Sequence, residues 1–362
     1  MLNIRLADIN FCIENKYDYI KTMCKEYLCE SEELVNISVT DAEIDAEDTE
    51  GGLDKGYLES LAIYRKIAEK ILEYNGFLMH GVVLDAQGTG VAFLARSGVG
   101  KSTHLNLWQQ VLNEKITVIN GDKPLIRIID GEIFAYGTPW AGKERLQKNT
   151  KIKLSKICFI ERNEENECVE LSKDEILERI LPQIYKPKNV AKLLVSMDLI
   201  EQMEKCEFYL VRCNMEISAA KIAIERVLES EMEKELRKNG IYITKTKGDS
   251  MSPMLTEGDR VIITPVKKPL RRGDIPVYRR GDHYTMHRIV RVKKTGYLIC
   301  GDNRTYIEKD IKNEDIVGVL QAFYHNGKYI ERDSKIYRRY ERKALFLLPF
   351  KILIEKIKRV FC

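Results

Sequence analysis

The sequence predicts an α/β domain followed by a mainly-β domain, and three observations carry that prediction. Strand-like apolar runs alternate with segments of helical period as far as Asn239, and after Gly240 only short strand-like runs remain. A buried-strand run, GVAFLA at Gly90–Ala95, enters a glycine loop and then an apolar-periodic segment. The charge balance reverses at the same boundary. From Ile241 onward there are 27 Lys/Arg against 14 Asp/Glu, a net of +13; the preceding part carries 32 against 41, a net of −9. With 362 residues the chain can form two sizeable cores. The boundaries read as 1–238, 239–334 and a basic amphipathic segment at 335–362.

In chain order, Leu2–Val39 begins strand-like and has a helical stretch around Tyr17–Tyr27. DAEIDAEDTE at Asp41–Glu50, ending in Gly51–Gly52, reads as a solvated acidic loop. Tyr57–Tyr74 has apolar residues at helical spacing. Strands and turns alternate from Phe77 to Ile160, apart from the helix after the glycine loop. Asp174–Tyr185 and Ala191–Lys205 read as helices, Glu207–Arg212 as a strand, and Ile217–Arg237 as one long charged helix. The runs IYITK, RVIITPV, IPVYRR, HYTMHRIVRV, GYLIC and IVGVLQAFY come next, separated by Gly, Pro and Asp turns. The last apolar run, Ala344–Phe350, is far short of the ~20 residues that span a bilayer, and Pro349 interrupts its helical pattern.

The later domain carries an ordered set of short motifs. GDSMSPML at Gly248–Leu255 sets a serine in a turn before a Met-x-Pro step. GD steps come after it at Gly258–Asp259 and Gly273–Asp274, then MHRIV at Met286–Val290 and GDN at Gly301–Asn303. A serine with a nearby base is the minimum apparatus for covalent attack on a peptide carbonyl. An imidazole accepts a proton at neutral pH without the desolvation a lysine base requires. This set resembles the serine peptidases that include type I signal peptidases and LexA-type self-cleaving repressors. Many of those place lysine at the base position; His287 instead resembles the archaeal, endoplasmic-reticulum and sporulation-type signal peptidases, which pair Ser with His. The resemblance implies Ser250 as nucleophile and His287 as general base. It also implies an acidic residue near GDN to hold the imidazole, which leaves Asp302 and Glu308 as candidates, with Asp310 close by. Relatives often have a serine where this chain has Gly248, so oxyanion stabilisation falls to backbone N–H groups such as that of Ser250.

The earlier domain carries RSGVGKST at Arg96–Thr103 between strand and helix. Ser97, Gly98, Val99 and Gly100 would turn backbone N–H groups toward phosphate oxygens, beside the positive end of the next helix. Lys101 supplies a charge for the outer phosphates, and Ser102, followed by Thr103, offers a hydroxyl to Mg²⁺. The strict motif begins with Gly where this chain has Ala95. MHGVVL at Met79–Leu84 reads as a strand carrying His80, and VINGDKPLIRI at Val118–Ile128 ends a strand at Gly121–Asp122. This succession, from Phe77 to Ser230, resembles HPr kinase/phosphorylase and the wider group related to phosphoenolpyruvate carboxykinase. The resemblance implies a P-loop kinase-like fold with a mixed sheet, and ATP and Mg²⁺ as cofactors, the metal held by Ser102 and Asp122. His80, Lys123 and Lys143 are candidates for contacting phosphate. Those kinases have two consecutive aspartates at the strand end, and the first is replaced here by Gly121, which predicts nucleotide binding with slow or absent phosphotransfer.

Hydrophobic residues at 44% and charged residues at 31% describe a globular rather than a disordered chain. Nine cysteines without a CxxC pair read as reduced cytosolic thiols with no structural zinc. MLNIRLADINFCIEN lacks the basic start and apolar run of a signal peptide, so a cytoplasmic location is expected. No aromatic stacking motif or helix-turn-helix pattern accompanies the basic half, so a nucleic-acid partner is not expected. The C-terminal segment either docks on its own domain or makes peripheral contact with an anionic membrane. The favoured reading is an ATP-binding, HPr-kinase-like domain joined to a Ser–His endopeptidase of the signal-peptidase type. Such a pair would process a peptide or protein substrate, for example a ribosomally made peptide precursor. The rivals are a peptidase regulated by a non-catalytic nucleotide sensor, and a LexA-type self-cleaving regulator.

Overall fold

The computed structural model describes every residue except Glu50, Gly281, Asp282 and Cys362; of Asp310 and residues 356–361 it describes the backbone alone. The chain divides into two units, Met1–Leu228 and Glu229–Cys362. This break lies ten residues before the boundary expected from charge. The reason is a helix break. The expected single helix Ile217–Arg237 is two, Ile217–Val227 and Glu231–Asn239, and Ser230 caps the second by accepting from the Glu233 N–H. The second helix buries Met232 and Leu236 in the core of the later unit.

In the first unit, Leu2–Leu6 and Ile9–Glu14 form an antiparallel hairpin, with Val35–Ser38 parallel to the latter. The helix Lys55–Lys70 covers this sheet, burying Leu58, Ile63 and Ile67. The expected acidic loop holds a short helix, Asp41–Asp45, closed by a reciprocal cap between Thr40 and Glu43. A nine-stranded mixed sheet is next in the chain, and its centre is the long strand Lys151–Arg162. That strand runs parallel to Thr89–Leu94 and Glu207–Cys213, and its first residues pair antiparallel with Glu132–Tyr136. Alternate residues enter different cores. Ala92, Leu94, Ile157 and Phe159 join the cluster that includes Ile180, Leu199 and Ile200 of the later helices. Val91, Phe93, Cys158 and Ile160 join Leu105 and Trp108 of the helix Lys101–Leu112 and Ala219–Ala223 of Ile217–Val227. Both faces of the sheet are therefore covered, which explains the unbroken apolar run at 91–95. His104 sits in the second cluster and accepts from Trp108 Nε1 at 3.0 Å; burial pulls its pKa down to about 4, so it is neutral. His80 lies in the connection before the strand Val82–Ala86, not within a strand as expected.

In the second unit, a sheet has the antiparallel order Tyr242–Lys245, Arg260–Thr264, Ile316–His325, Pro276–Arg280, His283–Met286, with Lys328–Glu331 added to Ile316–His325. A second sheet joins Arg288–Lys293, Gly296–Cys300 and Glu308–Ile311. One residue, His287, separates the last strand of the first sheet from the first strand of the second. The GD steps are turn locks: Asp259 accepts from the Thr256 N–H at 2.7 Å and Asp274 from the Arg271 N–H at 2.8 Å. The segment after Ser334 is one helix, Lys335–Phe361, continuous through Pro349 and part of the same unit. Among the described residues no helix is long and apolar enough to cross a membrane.

Candidate active site

Ser250 opens the turn after the edge strand Tyr242–Lys245, and His287 occupies the joint between the two sheets. The contact that unites them is Gly301. A Cβ on that glycine would lie 2.7 Å from the Ser250 carbonyl oxygen and 3.2 Å from His287 Cδ2. Only a residue without a side chain lets these two groups close on the GDN turn. The Asn303 N–H then donates to the same Ser250 carbonyl at 2.8 Å, fixing the Ser250 turn to GDN.

The imidazole is oriented from its other side. His287 Nδ1 lies 2.7 Å from Glu308 Oε1 and 3.2 Å from the Tyr278 hydroxyl, which donates to the same carboxylate oxygen at 2.8 Å. Arg280 Nη1 donates to Glu308 Oε2 at 2.6 Å. Glu308 is buried, so its three partners replace the water it lacks. Burial and the adjacent Glu308 carboxylate push the Tyr278 hydroxyl far above its ordinary pKa, so it stays a donor. With the Nδ1–H bonded to carboxylate, Nε2 carries the lone pair. Among the described residues neither Nε2 nor Ser250 Oγ holds a hydrogen bond, and the Ser250 N–H has no backbone acceptor.

Asp302 does not orient the histidine. Its carboxylate forms a fork with Arg288, at 2.8 Å from Nε and 2.6 Å from Nη2, with both side chains buried. Arg288 also donates to the Gly273 carbonyl at 2.8 Å. Asp302 is thus a structural clamp between GDN and the second GD turn, and Glu308 holds the place the sequence left open between them. The side chain of Asp310 lies outside the described residues. Tyr278 and Arg280 carry no sequence signal of their own that marks them as site residues, and Arg288 is marked only as part of the MHRIV motif, which assigns it no role. Beside Ser250 runs a groove of about 480 Å³ lined by Tyr242, Thr244, Met251, Val277, Tyr284 and Met286 among others. The strands Tyr242–Lys245 and His283–Met286 are the outer strands of the five-strand order, and both line it.

The first unit has its own cleft, of about 500 Å³, lined by His80, Ser97, Gly98, Gly100, Lys101, Ser102, Thr103, Asp122 and Lys143 among others. Gly98 and Gly100 have φ of +77° and +129°, a backbone that side chains resist, and no heavy atom lies within 4 Å of where a Cβ would be on either. Arg162 donates to the carbonyls of Val99 and Gly98, at 2.9 and 2.5 Å, holding the loop by its acceptors. The first-turn N–H groups of Lys101–Leu112 have no acceptor within their helix. Lys101 Nζ donates to the Ala95 carbonyl at 2.8 Å and lies 3.4 Å from His80 Nε2. Burial lowers its pKa, against the raising effect of Asp122. Asp122 lies 3.3 Å from His80 Nε2 and 4.0 Å from Lys123 Nζ. Burial acts to raise the Asp122 carboxyl, but His80, Lys123 and Lys101 outweigh it and hold the group below its ordinary range. Val99 faces a separate recess with Arg162 and Arg179.

The turn bearing Asp122 is set by Asn120, fully buried, whose Oδ1 accepts from the Asp122 and Lys123 N–H groups at 2.9 and 2.7 Å. The position before Asp122, where the resemblance to those kinases would set a further aspartate, is Gly121, and it is closed. A Cβ on Gly121 would lie 2.9 Å from the Ala141 carbonyl and 3.3 Å from that of Leu146. The loop Ala141–Leu146 thus covers the side of the strand end where a second carboxylate would stand.

The family model described as Peptidase S24-like matches residues 210–321, so the C-terminal part resembles that family. The match starts in the last strand of the first unit and ends within the long strand of the second. No curated protein matches the chain. Among solved structures, it is similar to the Hpr(Ser) kinase/phosphatase from Coxiella burnetii at 14% identity, over 35% of this chain and 90% of that one, with a TM-score of 0.20.

Proposed function

We propose that the chain is a Ser–His serine endopeptidase whose preceding unit binds Mg-ATP, acting on a peptide or protein substrate. The observation that carries the peptidase half is the convergence of Ser250 and His287 on Gly301 with Glu308 behind the imidazole. In the reaction, Ser250 Oγ bonds to the scissile carbonyl carbon as its proton passes to His287 Nε2. The imidazolium is stabilised by Glu308, and the carbonyl oxygen takes the charge beside the Ser250 N–H. The C–N bond breaks as Nε2 gives its proton to the leaving amine. Water, activated by the same nitrogen, then releases the acyl group and restores the serine. The groove suits an extended segment: outer strands on two sides can take up its backbone, and Val277, Met251 and Met286 accept an apolar side chain.

The residues of the first cleft fit a magnesium nucleotide. The open glycine loop and the helix N-terminus suit the phosphates, Lys101 their charge, and Ser102 with Asp122 the metal. Bound there, the nucleotide would supply a γ-phosphoryl group. Asp122 and Glu144 are the carboxylates that line this cleft among the described residues, and of the two only Asp122 stands at the strand end, which favours a second reading in which this unit senses nucleotide without transferring phosphate. The closure over Gly121 supports that reading.

The test is labelling by a fluorophosphonate, which reacts with an activated serine and needs no knowledge of the substrate. Wild type is expected to label at one site, and Ser250→Ala and His287→Ala to lose label while unfolding normally. Label persisting in Ser250→Ala would reject the peptidase. Titration calorimetry with Mg-ATP checks the first unit: binding is expected, and is lost in Lys101→Ala. Labelling with and without Mg-ATP then asks whether nucleotide controls the peptidase, and incubation of the purified chain detects self-cleavage.

A further inference from the structure

The C-terminal helix divides its two faces between different tasks. Tyr337, Ala344, Leu345, Leu348 and Ile352 fall on one side at helical spacing, and Tyr337 is buried beneath the Arg288 guanidinium. Leu345, Leu348 and Ile352 face Val290, Leu298 and Ile307 of the second sheet and its flanks across a shared groove. Lys351 Nζ donates to the Asp302 carbonyl at 2.8 Å, so the helix is held along its length. The other side is open and unusual. Phe346 is 70% exposed, Phe350 53%, Leu353 56% and Ile354 54%, and the two phenyl rings touch at 5.6 Å between centroids. Phe346 and Phe350 are thus left more open to water than the smaller Leu345, Leu348 and Ile352, which are half-buried.

On the same exposed side, one to three turns earlier, stand Lys335, Arg338, Arg339, Arg342 and Lys343, all exposed. Arg272 and Arg291, also exposed, line the groove beside Leu353 or flank it. Over residues 335–361 the sequence has nine Lys/Arg and two Asp/Glu. The two acids, Glu341 and Glu355, are half-buried.

We propose that this face docks on an anionic lipid bilayer. The helix lies along the headgroup layer, Phe346, Phe350, Leu353 and Ile354 enter the acyl boundary, and the arginines and lysines meet lipid phosphates. Charge selects this occupant. A second copy of the chain laid on the same face would bring identical cations into contact, and the two acids of the helix are half-buried rather than open to receive them. A neutral membrane would use the phenylalanines but not the basic half. The helix itself is about 40 Å long at 1.5 Å per residue, and Phe346–Ile354 cover roughly 12 Å of it, a footprint for lying on a bilayer rather than spanning it.

The experiment is flotation of the full chain with vesicles of phosphatidylcholine alone and of phosphatidylcholine with about three-tenths phosphatidylglycerol, at about 0.1 M salt. Binding is expected to the anionic vesicles only and weakens in about 0.5 M salt. Phe346→Ser/Phe350→Ser is expected to lose at least about tenfold in affinity, and Arg338→Gln/Arg339→Gln roughly thirtyfold at low salt. All four side chains are exposed, and circular dichroism with thermal unfolding checks that each variant keeps the fold. The proposal is overturned if the wild type floats with neither vesicle, or if it floats equally with both and Arg338→Gln/Arg339→Gln changes nothing. It is also overturned if sedimentation shows a dimer that Phe346→Ser/Phe350→Ser dissolves.

Discussion

Replacing Glu308 by Gln keeps the shape of the site and removes one charge, and the surrounding bonds dictate the outcome. In the wild type, Oε1 accepts from His287 Nδ1 and the Tyr278 hydroxyl while Oε2 accepts from Arg280. An amide has one acceptor end and one donor end. Arg280 can only donate, so it takes the amide oxygen, and the NH₂ turns toward His287. There it can donate only to an unprotonated Nδ1, which drives the imidazole proton to Nε2, the atom that must take the proton of Ser250. The wrong tautomer in a triad lowers turnover by about 10⁴, or about 5 kcal/mol at roughly 1.36 kcal/mol per tenfold. A loss of about 10³–10⁴ in the rate of fluorophosphonate labelling is therefore expected. Orientation of the amide by Arg280 makes a sharper demand. In Glu308→Gln/Arg280→Met nothing ties the amide oxygen to the outside, so it can turn back to the Nδ1–H, and labelling should recover by about tenfold relative to Glu308→Gln. Labelling of Glu308→Gln within about threefold of wild type would refute the role of Glu308. A double variant no faster than the single would refute the role of Arg280.

The other expectations concern the frame. Asp302→Asn should leave a buried guanidinium uncompensated and cost about 3–5 kcal/mol in urea unfolding, with Asp302→Leu/Arg288→Met costing less; a change under about 1 kcal/mol would return Asp302 to the catalytic candidates. Gly121→Asp should not awaken phosphotransfer: its Cβ meets the Ala141 carbonyl at 2.9 Å, so it should destabilise the first unit by about 1–3 kcal/mol, and brisk phosphorylation by this variant would contradict that packing. His104 has a folded pKa of about 4 against an ordinary 6.5, so the unfolded chain takes up a proton in that window and the fold does not. Its contribution is complete above pH ~6.5 and is lost as pH falls toward 4, at most about 3 kcal/mol. Both tryptophans lie in the first unit, so fluorescence-detected unfolding tracks it, and His104→Gln should flatten the acid limb.

Much of this site is legible in the sequence because its parts are local. A serine before Met-x-Pro, a histidine within a β run, and a glycine loop between strand and helix are each spelled within about ten residues; that the run HYTMHRIVRV breaks at His287 into two strands is a matter of the sheets. The two classes of domain are legible for a similar reason: helical and strand periods differ, and the change of period coincides with a change of charge sign.

The choice between Asp302 and Glu308 was not local. Both are carboxylates near GDN, and only the closure of one sheet against the other puts Glu308 at His287 and Asp302 at Arg288. The break at Leu228 depended on which core claimed Met232 and Leu236, a matter of packing that helix period cannot express. Gly121 reads in sequence as a lost aspartate; in three dimensions the loop Ala141–Leu146, distant along the chain, fills the position. The exposed face of the last helix was visible as composition, but which side of it met the domain was not. Sequence by itself determined most of the elements, the turn that carries Ser250 and the glycine loop before Lys101, because short-range sterics and hydrogen bonding set them. Tertiary structure decided which carboxylate meets His287 and which one meets Arg288, because a charge removed from water must find a partner, and the partner is chosen by distance in the folded chain.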